Sequence, residues 1–264
     1  MRVRADVALA ERGLARSRTE AAALIKSGLV LADGRPVARA SQRVLPTTAL
    51  TVADDGPRYV SRAAHKLVSA LDAFPDVAVA GRRCLDAGAC TGGFTHVLLE
   101  RDAAHVAAVD VGHGQLHEVL RTDDRVLVRE GLNVRTLVPE DVGGPVELVV
   151  SDLSFISLRL VVDALAGVCV DGADLLLMVK PQFEVGKAAL PKSGVVTDPA
   201  DRRRAVAGVL EAAAAAGLAP RGLARSGLPG QDGNVEFFLH LRRTDAPASA
   251  VLEDVPGHAD VDWA

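Results

Sequence analysis

The stretch RRCLDAGACTGGFTHVLLE, residues 82–100, decides the fold of this 264-residue chain. It begins with a short apolar run that ends at Asp86, passes through Gly88, Gly92 and Gly93, and continues with apolar residues at helical spacing. This change of period across the glycines predicts a strand, a tight turn and a helix. Glycines in the turn allow the backbone to approach a bound ligand closely, because no Cβ stands in the way. The alternative is a turn that serves only helix–strand packing.

A second apolar run, HVAAVDVG, follows about twenty residues later and contains Asp110 at the end of the predicted strand. An acid at this position can hydrogen-bond the ribose hydroxyls of a nucleoside cofactor, which favours ligand binding over a turn used only for packing. The glycines do not follow the G-x-G-x-x-G order of dinucleotide sites. Asp86 precedes the first glycine instead, and an acid there suits a ligand with positive charge, such as an ammonium or a sulfonium. NAD is therefore the weaker interpretation.

The order D-x-G-x-x-x-G-G-F-T resembles the S-adenosylmethionine loop of class I methyltransferases, in particular the FtsJ-like RNA 2′-O-methyltransferases. The resemblance implies S-adenosylmethionine as the cofactor. We assign Asn133 to the adenine side of the site, and we interpret Cys90 as a small filler of the turn rather than a reactive thiol. The predicted cofactor-binding residues are Asp86, Gly88, Cys90, Thr91, Gly92, Gly93, Phe94, Asp110, Asn133 and Asp152.

Composition excludes several other classes of protein. Hydrophobic residues make up 49% of the chain and aromatic residues 3%, so Val, Leu and Ala must fill a sizeable core. The three cysteines form no C-x-x-C pair, so we expect neither a disulfide framework, nor a zinc site, nor any other metal site. No apolar run approaches the roughly 18 residues of a membrane span, and the N-terminus lacks the plan of a signal peptide. We expect a soluble cytoplasmic protein that contacts no membrane.

The net charge of −4 conceals an asymmetry along the chain. Residues 1–58 contain ten basic and six acidic side chains, a net charge of +4, which leaves −8 for the remainder. A basic segment joined to an acidic body indicates that the segment meets nucleic acid.

The N-terminal segment reads as two short helices, residues 2–13 and 14–28, followed by two short strands across a D-G turn. An ordinary solvated basic face would explain this pattern, but the order L-A-x-S-R, helix, G-x-V-x-x-x-G-x-P-V resembles the S-four RNA-binding domain over roughly 45 residues. The resemblance implies that basic side chains bind phosphates of folded RNA. The predicted RNA-binding residues are Arg4, Arg16, Arg18, Lys26 and Arg35.

We predict an S-four domain at residues 1–58, a linker at 59–62 and a methyltransferase domain at 63–243. In the last of these, apolar strands alternate with amphipathic helices, which predicts a doubly wound parallel sheet with its ligand at the carboxyl ends of the strands. Residues 181–196 lack periodicity and are a candidate lid. Residues 244–264 are rich in acids, Pro and Ala, which predicts a disordered acidic tail.

Four charged residues are expected to meet beside the glycine turn. Asp152 and Lys180 each follow an apolar strand, and Glu236 begins the last strand, which runs antiparallel in methyltransferase sheets. With Lys66 from the preceding helix, they match residue for residue the K-D-K-E tetrad of 2′-O-methyltransferases. The alternative is that they are four unrelated strand-end charges.

The proposed chemistry explains these residue types. A ribose 2′-hydroxyl must be partly deprotonated as it attacks the sulfonium in line, and a lysine can accept that proton whereas an arginine cannot. We assign Lys180 as the base and Asp152 as the group that orients it. Lys66 and Glu236 would position the hydroxyl, and most of the rate should come from holding oxygen and methyl in line.

With its S-four segment and the motifs S-D-L-S-F, M-V-K-P-Q-F-E and G-N-V-E-F, the chain resembles the TlyA family over residues 1 to about 243. The resemblance implies an α/β fold, with a class I (Rossmann-like) methyltransferase sheet and a small N-terminal α+β domain. It also implies 2′-O-methylation of cytidine in ribosomal RNA of either subunit, with no obligate protein partner. Two alternatives remain: a cofactor-binding ribosomal RNA chaperone or assembly factor without turnover, and a pore-forming haemolysin, since family members carry that label.

Overall fold

The computed structural model describes residues 2–15, 17–26, 29–52, 59–187, 189–230, 232–246 and 250–264. The chain divides into two compact units, Met1–Arg62 and Ala63–Ala264. The division falls at the end of the linker predicted at 59–62.

The first unit is a small α+β domain with its own core. Its elements are β1 (Val3–Arg4), α1 (Ala5–Glu11), α2 (Arg18–Lys26), β2 (Val30–Ala32), β3 (Arg35–Pro36), β4 (Arg43–Val44) and β5 (Leu50–Val52). β2 pairs antiparallel with β3 and β5, and the two helices pack around a core that includes Leu9 and Ile25. The helix predicted from residue 2 begins at Ala5 instead, because Val3 and Arg4 pair with β4.

The second unit is built on a seven-stranded sheet. Its strands are β6 (Arg83–Ala87), β7 (His105–Asp110), β8 (Val126–Glu130), β9 (Val146–Ser151), β10 (Cys169–Val179), β11 (Leu218–Arg225) and β12 (Phe237–Arg243). Its helices are α3 (Ala64–Ala73), α4 (Gly93–Glu100), α5 (Glu118–Arg121), α6 (Val162–Gly167), α7 (Pro181–Glu184) and α8 (Pro199–Ala215).

The sheet has the strand order β11-β12-β10-β9-β6-β7-β8. Strands β6 to β10 are parallel, and β12 runs antiparallel between β10 and β11. The chain order reverses between β6 and β9, so the crevice outside their carboxyl ends is the expected ligand site. The central strands are almost wholly apolar because helices cover both faces of a parallel sheet. The predicted α/β class I sheet and its antiparallel last strand are confirmed.

The segment after β10 contains more structure than its sequence predicts. Pro181–Glu184 forms one helical turn, α7, within the stretch predicted as an irregular loop. Glu184 accepts hydrogen bonds from Ser157 Oγ (2.5 Å) and the Leu158 backbone N–H (2.7 Å), which ties this turn to the loop after β9. Burial raises the pKa of Glu184 above its ordinary value.

The prediction of a disordered tail is wrong for residues 250–264. This segment contains two 3-10 turns, Leu252–Asp254 and His258–Asp260. Leu252, Val255 and Trp263 are buried in the main core. The acidic composition does not predict this packing, because only these three apolar side chains are buried. The charged residues between them stay exposed. No helix among the described residues is both long and apolar enough to cross a membrane.

A charge cluster around one buried acid joins β10, β12 and the residue before β6. Asp174, in the middle of β10, accepts hydrogen bonds from His240 (2.9 Å), Arg242 (2.9 and 3.0 Å) and Arg82 (2.8 Å). Burial alone would raise the pKa of Asp174, but these hydrogen bonds outweigh burial and hold that pKa well below its ordinary value.

We predict that Asp174→Asn lowers the free energy of unfolding by about 3 kcal/mol at pH 7, because it leaves buried donors without their charged acceptor. The folded-state pKa lies below the unfolded one, so this contribution is full at pH 7 and is lost as the pH falls below about 4. Urea denaturation at several pH values measures both effects. Asp171→Asn, at an exposed position on the same strand, is the matched control. Equal midpoints for the two variants would contradict the role of the cluster.

Candidate active site

The glycine turn after β6 needs glycine at two positions. Gly88 and Gly92 have left-handed backbone conformations, with φ of +89° and +94°. A Cβ at Gly88 would lie 3.1 Å from Leu153 Cδ2, and one at Gly92 would lie 2.8 Å from Leu116 Cδ1 and collide with Leu120. The turn therefore brings bare backbone close to its surroundings, as the sequence predicts.

Asp110, at the end of β7, holds this turn in place. Its carboxylate accepts hydrogen bonds from the backbone N–H of Cys90 (2.8 Å) and of Gly112 (2.7 Å). An ionised carboxylate has about four acceptor positions. Two of those at Asp110 therefore remain for hydroxyl groups of a ligand.

A cavity of about 530 Å³ opens beside the turn, a volume typical of a small-molecule site. Five of the predicted cofactor residues line it: Gly88, Cys90, Asp110, Asn133 and Asp152. The rest of its wall is largely apolar and comes from the loops after β7, β8 and β9. Asn133 also caps a 3-10 turn, because its side-chain oxygen accepts from the Arg135 backbone N–H (3.0 Å).

The other predicted cofactor residues, Asp86, Thr91, Gly92, Gly93 and Phe94, do not line this cavity. Phe94 is a core residue whose ring stacks on Phe238 at 6.3 Å, so its side chain does not face the cavity, and a contact of its backbone with the cofactor stays a prediction. Spacing along the sequence locates the start of α4 but does not tell which side of the helix faces the ligand. Gly92 and Gly93 shape the turn, and Thr91 lies exposed outside the cavity wall.

Asp86 is fully buried beneath the turn. One of its oxygens accepts hydrogen bonds from the Thr95 backbone N–H (2.8 Å) and hydroxyl (2.7 Å), which fixes the first turn of α4. The other oxygen, Oδ1, has no hydrogen-bond partner among the described residues. Burial raises the pKa of Asp86 to about 7, while the hydrogen bonds from Thr95 act in the opposite direction.

The four charged residues of the predicted tetrad meet in one buried cluster. Lys66 Nζ donates to Glu236 Oε2 at 2.6 Å and lies 3.6 Å from Asp152 Oδ2. On the other side of Asp152, Lys180 Nζ lies 2.6 Å from Oδ1. Lys66 and Lys180 are each 7% exposed and Glu236 is 2% exposed. The formal charges of the two lysines and the two acids cancel, which permits both lysines to be buried.

Topology explains why residues so distant in sequence meet. Asp152 follows β9 and Lys180 follows β10, and neighbouring parallel strands end at the same edge. Because β12 is antiparallel, Glu236, directly before it, lies at this edge too. Lys66 reaches the cluster from α3.

Two contacts in the cluster carry no signal in the sequence. Ser154 accepts a hydrogen bond from Lys180 Nζ at 2.8 Å and also lines the cavity, so it links the lysine to the ligand site. Gly230 packs against the carboxylate of Glu236, because a Cβ at this position would lie 2.7 Å from Glu236 Oε1. Hydroxyls and glycines in loops have no periodicity to mark them; only the repeated serines of S-D-L-S-F hint at the first contact.

The predicted RNA-binding residues lie in the first unit. Arg4 donates two hydrogen bonds of 2.9 Å to Asp6, and Arg18 lies 3.6 Å from the same carboxylate. The side chains of Arg4 and Arg18 are 45% and 63% exposed, so both guanidinium groups are still accessible from solvent. Arg16 lies outside the described residues, and of Lys26 and Arg35 only the backbone is described.

The sheet order, the glycine turn and the acid after the second strand together define a class I methyltransferase. Comparison with family models agrees: residues 59–243 match the FtsJ-like methyltransferase family, and residues 3–49 match the S4 domain, the S-four domain predicted above. The chain belongs to the FtsJ-like methyltransferase family.

Known proteins are similar in sequence to large parts of this chain. The 16S/23S rRNA (cytidine-2′-O)-methyltransferase TlyA of Mycobacterium tuberculosis is 56% identical over 256 residues, which is 96% of this chain and 95% of the relative. The 23S rRNA (cytidine-2′-O)-methyltransferase TlyA of Campylobacter jejuni is 37% identical over 183 residues, 69% of this chain and 70% of the relative. A solved structure from Streptococcus thermophilus, described as a candidate hemolysin, has a TM-score of 0.75 and 36% identity, and the match covers 98% of this chain and 94% of that one.

We predict that Lys66 and Glu236 depend on each other for stability. Glu236→Leu or Lys66→Met alone should lower the free energy of unfolding by about 3–5 kcal/mol, because each leaves a buried charge unpaired. The double variant should lose much less than the sum, since both charges are then absent. Urea denaturation of the four proteins measures the coupling. Additive losses would show that the pair is not buried as one unit.

Proposed function

We propose that this chain transfers a methyl group from S-adenosylmethionine to the ribose 2′-hydroxyl of a cytidine in ribosomal RNA. The observation that carries the proposal is the buried cluster of Lys66, Asp152, Lys180 and Glu236 beside a cavity of nucleoside size. Membership of the FtsJ-like family, and 56% identity to a protein named as a 16S/23S rRNA (cytidine-2′-O)-methyltransferase, support the same reaction.

The residues around the cavity fit S-adenosylmethionine, which supplies a methyl group activated by a sulfonium. The free acceptor positions of Asp110 suit the two ribose hydroxyls. The apolar side chains of Leu132 and Ile156 suit the faces of a purine, and Asn133 lies beside them in the wall. Asp86 has an unpartnered oxygen and a raised pKa, and a ligand with positive charge beside the turn would favour its ionised form, so the two would stabilise each other.

In the proposed mechanism, Lys180 first releases its own proton to solvent, and as a neutral amine it then accepts the proton of the 2′-hydroxyl and becomes an ammonium ion. Asp152 and Ser154 contact its Nζ from two sides, so the position of this nitrogen is fixed before the reaction. Lys66 is held by Glu236 and lies at the other oxygen of Asp152, so it can donate to the same ribose oxygen as negative charge develops. The cluster thus orients the nucleophile toward the methyl group, and orientation is the larger part of the rate.

The first unit supports RNA as the substrate, and the name of the 56% identical relative supports ribosomal RNA. The first unit matches the S4 domain, and residues 1–58 carry a net charge of +4 against −8 for the rest of the chain. We propose that this unit binds folded RNA through phosphate contacts, that the protein acts on ribosomal subunits, and that it does so in the cytoplasm. A ribosomal RNA chaperone without turnover is the alternative that shares these features.

We predict that Lys180→Ala lowers methyl transfer to ribosomal RNA at least 100-fold, the usual scale for loss of a general base. Affinity for the cofactor and for RNA should stay within about twofold, because Lys180 itself neither lines the cavity nor belongs to the first unit. Transfer of labelled methyl groups to purified ribosomal subunits measures the rate. Lys192→Ala, at an exposed position of the following loop, is the control.

The outcome separates the alternatives. Full activity in Lys180→Ala would overturn the assigned base. RNA binding without methylation in the wild type would favour the chaperone. Mapping of 2′-O-methyl groups in 16S and 23S RNA, from cells with and without this chain, identifies the nucleotide; we expect at least one cytidine to lose its mark.

We predict that Asp110→Asn weakens S-adenosylmethionine binding about 10- to 100-fold, the scale of a hydrogen bond to a charged group. Isothermal titration calorimetry with the cofactor alone measures it. Asp124→Asn removes the same charge at an exposed position in the loop after α5 and should bind normally. Unchanged affinity in Asp110→Asn would place the ribose elsewhere.

A further inference from the structure

The C-terminal segment, residues 250–264, lies beyond the part of the chain that matches the FtsJ-like family, which ends at residue 243. It nevertheless packs into the core of the second unit, where Trp263 contacts β12, the strand that follows Glu236. The ring of Trp263 lies 4.8 Å from that of Phe237, the first residue of β12. Phe237 is fully buried and directly follows the catalytic acid, so Trp263 supports the backbone that carries Glu236.

A second connection runs through a buried arginine. Arg202, on α8, is 5% exposed and donates from Nη1 to the carbonyl oxygen of Trp263 (2.6 Å) and from Nε to that of Val196 (3.0 Å). One guanidinium thus joins the end of the chain to the loop before α8. The two bonds come from different nitrogens of one planar guanidinium, whereas a lysine would have to reach both carbonyls from a single nitrogen.

The loop before α8 in turn fixes the approach to Glu236. The backbone N–H of Val196 donates to the side-chain oxygen of Asn234 (2.9 Å), and the amide nitrogen of Asn234 donates to Gly194 (3.0 Å). Asn234 is 2% exposed and lies two residues before Glu236. Its own carbonyl accepts from Gly230, the glycine that packs on the Glu236 carboxylate.

We propose that Trp263 and Arg202 are positioning residues for the methyl-transfer reaction. Together they hold Asn234 and Phe237, on either side of Glu236, and thereby set the distance between Glu236 and Lys66. The cofactor cavity lies at the ends of β6, β7, β8 and β9, and neither residue touches it. The segment therefore affects turnover and leaves cofactor binding alone. This inference rests on the proposed function.

The test compares Trp263→Ala and Arg202→Met with the wild-type full chain. Displacement of a catalytic group by a fraction of an ångström to one ångström lowers turnover by roughly 10- to 100-fold. We expect kcat for methyl transfer to ribosomal subunits to fall about 10-fold in both variants, with the Kd for S-adenosylmethionine within about twofold of wild type. Trp263→Phe keeps an aromatic ring and the backbone carbonyl, and should recover most of kcat. Glu253→Ala, exposed on the same segment, is the matched control.

Trp263 is the single tryptophan of the chain, so its fluorescence reports the segment directly. We expect Arg202→Met to shift the emission toward that of exposed tryptophan while cofactor affinity is retained. The inference is overturned if kcat stays at the wild-type value in Trp263→Ala or in Arg202→Met. It is also overturned if kcat and cofactor affinity fall together in a well-folded Arg202→Met, which would indicate a general structural role. A wild-type protein without activity would refute the proposed function instead.

Discussion

The interaction on which the site depends is the contact of one carboxylate, Asp152, with two buried ammonium groups. Lys180 lies 2.6 Å from one of its oxygens and Lys66 lies 3.6 Å from the other. Two lysines this close would repel each other in a poorly hydrated environment, and Asp152 together with Glu236 removes that cost. The acids are therefore required for the lysines to be buried at all, whatever part they also take in orienting substrate.

The topology of the sheet brings these charged residues together. Three of the four residues lie at strand ends, and only an antiparallel β12 brings the start of that strand to the edge where β9 and β10 finish. The fourth residue comes from a helix outside the sheet, and its long side chain passes Met178, whose sulfur lies 3.6 Å from Lys66 Nζ. A shorter cation on α3 would not reach Glu236. Lysine is thus required there for its length as well as for its charge.

Much of this arrangement could be predicted from the sequence, because the relevant signals are periodic or occur at the ends of elements. The glycine turn, the alternation of strands and helices, and the strand-end positions of Asp152 and Lys180 are of this kind. The remaining features are set by packing, which has no periodic signal in the sequence. The side of α4 occupied by Phe94 and the burial of Trp263 in an acidic tail both depend on distant parts of the chain. The contact of Ser154 with Lys180 could not be predicted, because a hydroxyl in a loop has no periodic signal in the sequence.

Charge separates the tasks of binding and chemistry in this protein. The two lysines of the cluster are offset by two acids, so the cluster adds no net positive charge that could attract a polyanion. The second unit contributes to the net −8 outside residues 1–58 and as a whole repels RNA. Affinity must therefore come from cations elsewhere, and those of the N-terminal unit are the clearest source. Raising salt should then weaken RNA binding while leaving the paired lysines in place, since ion pairs this deeply buried are screened far less than exposed phosphate contacts.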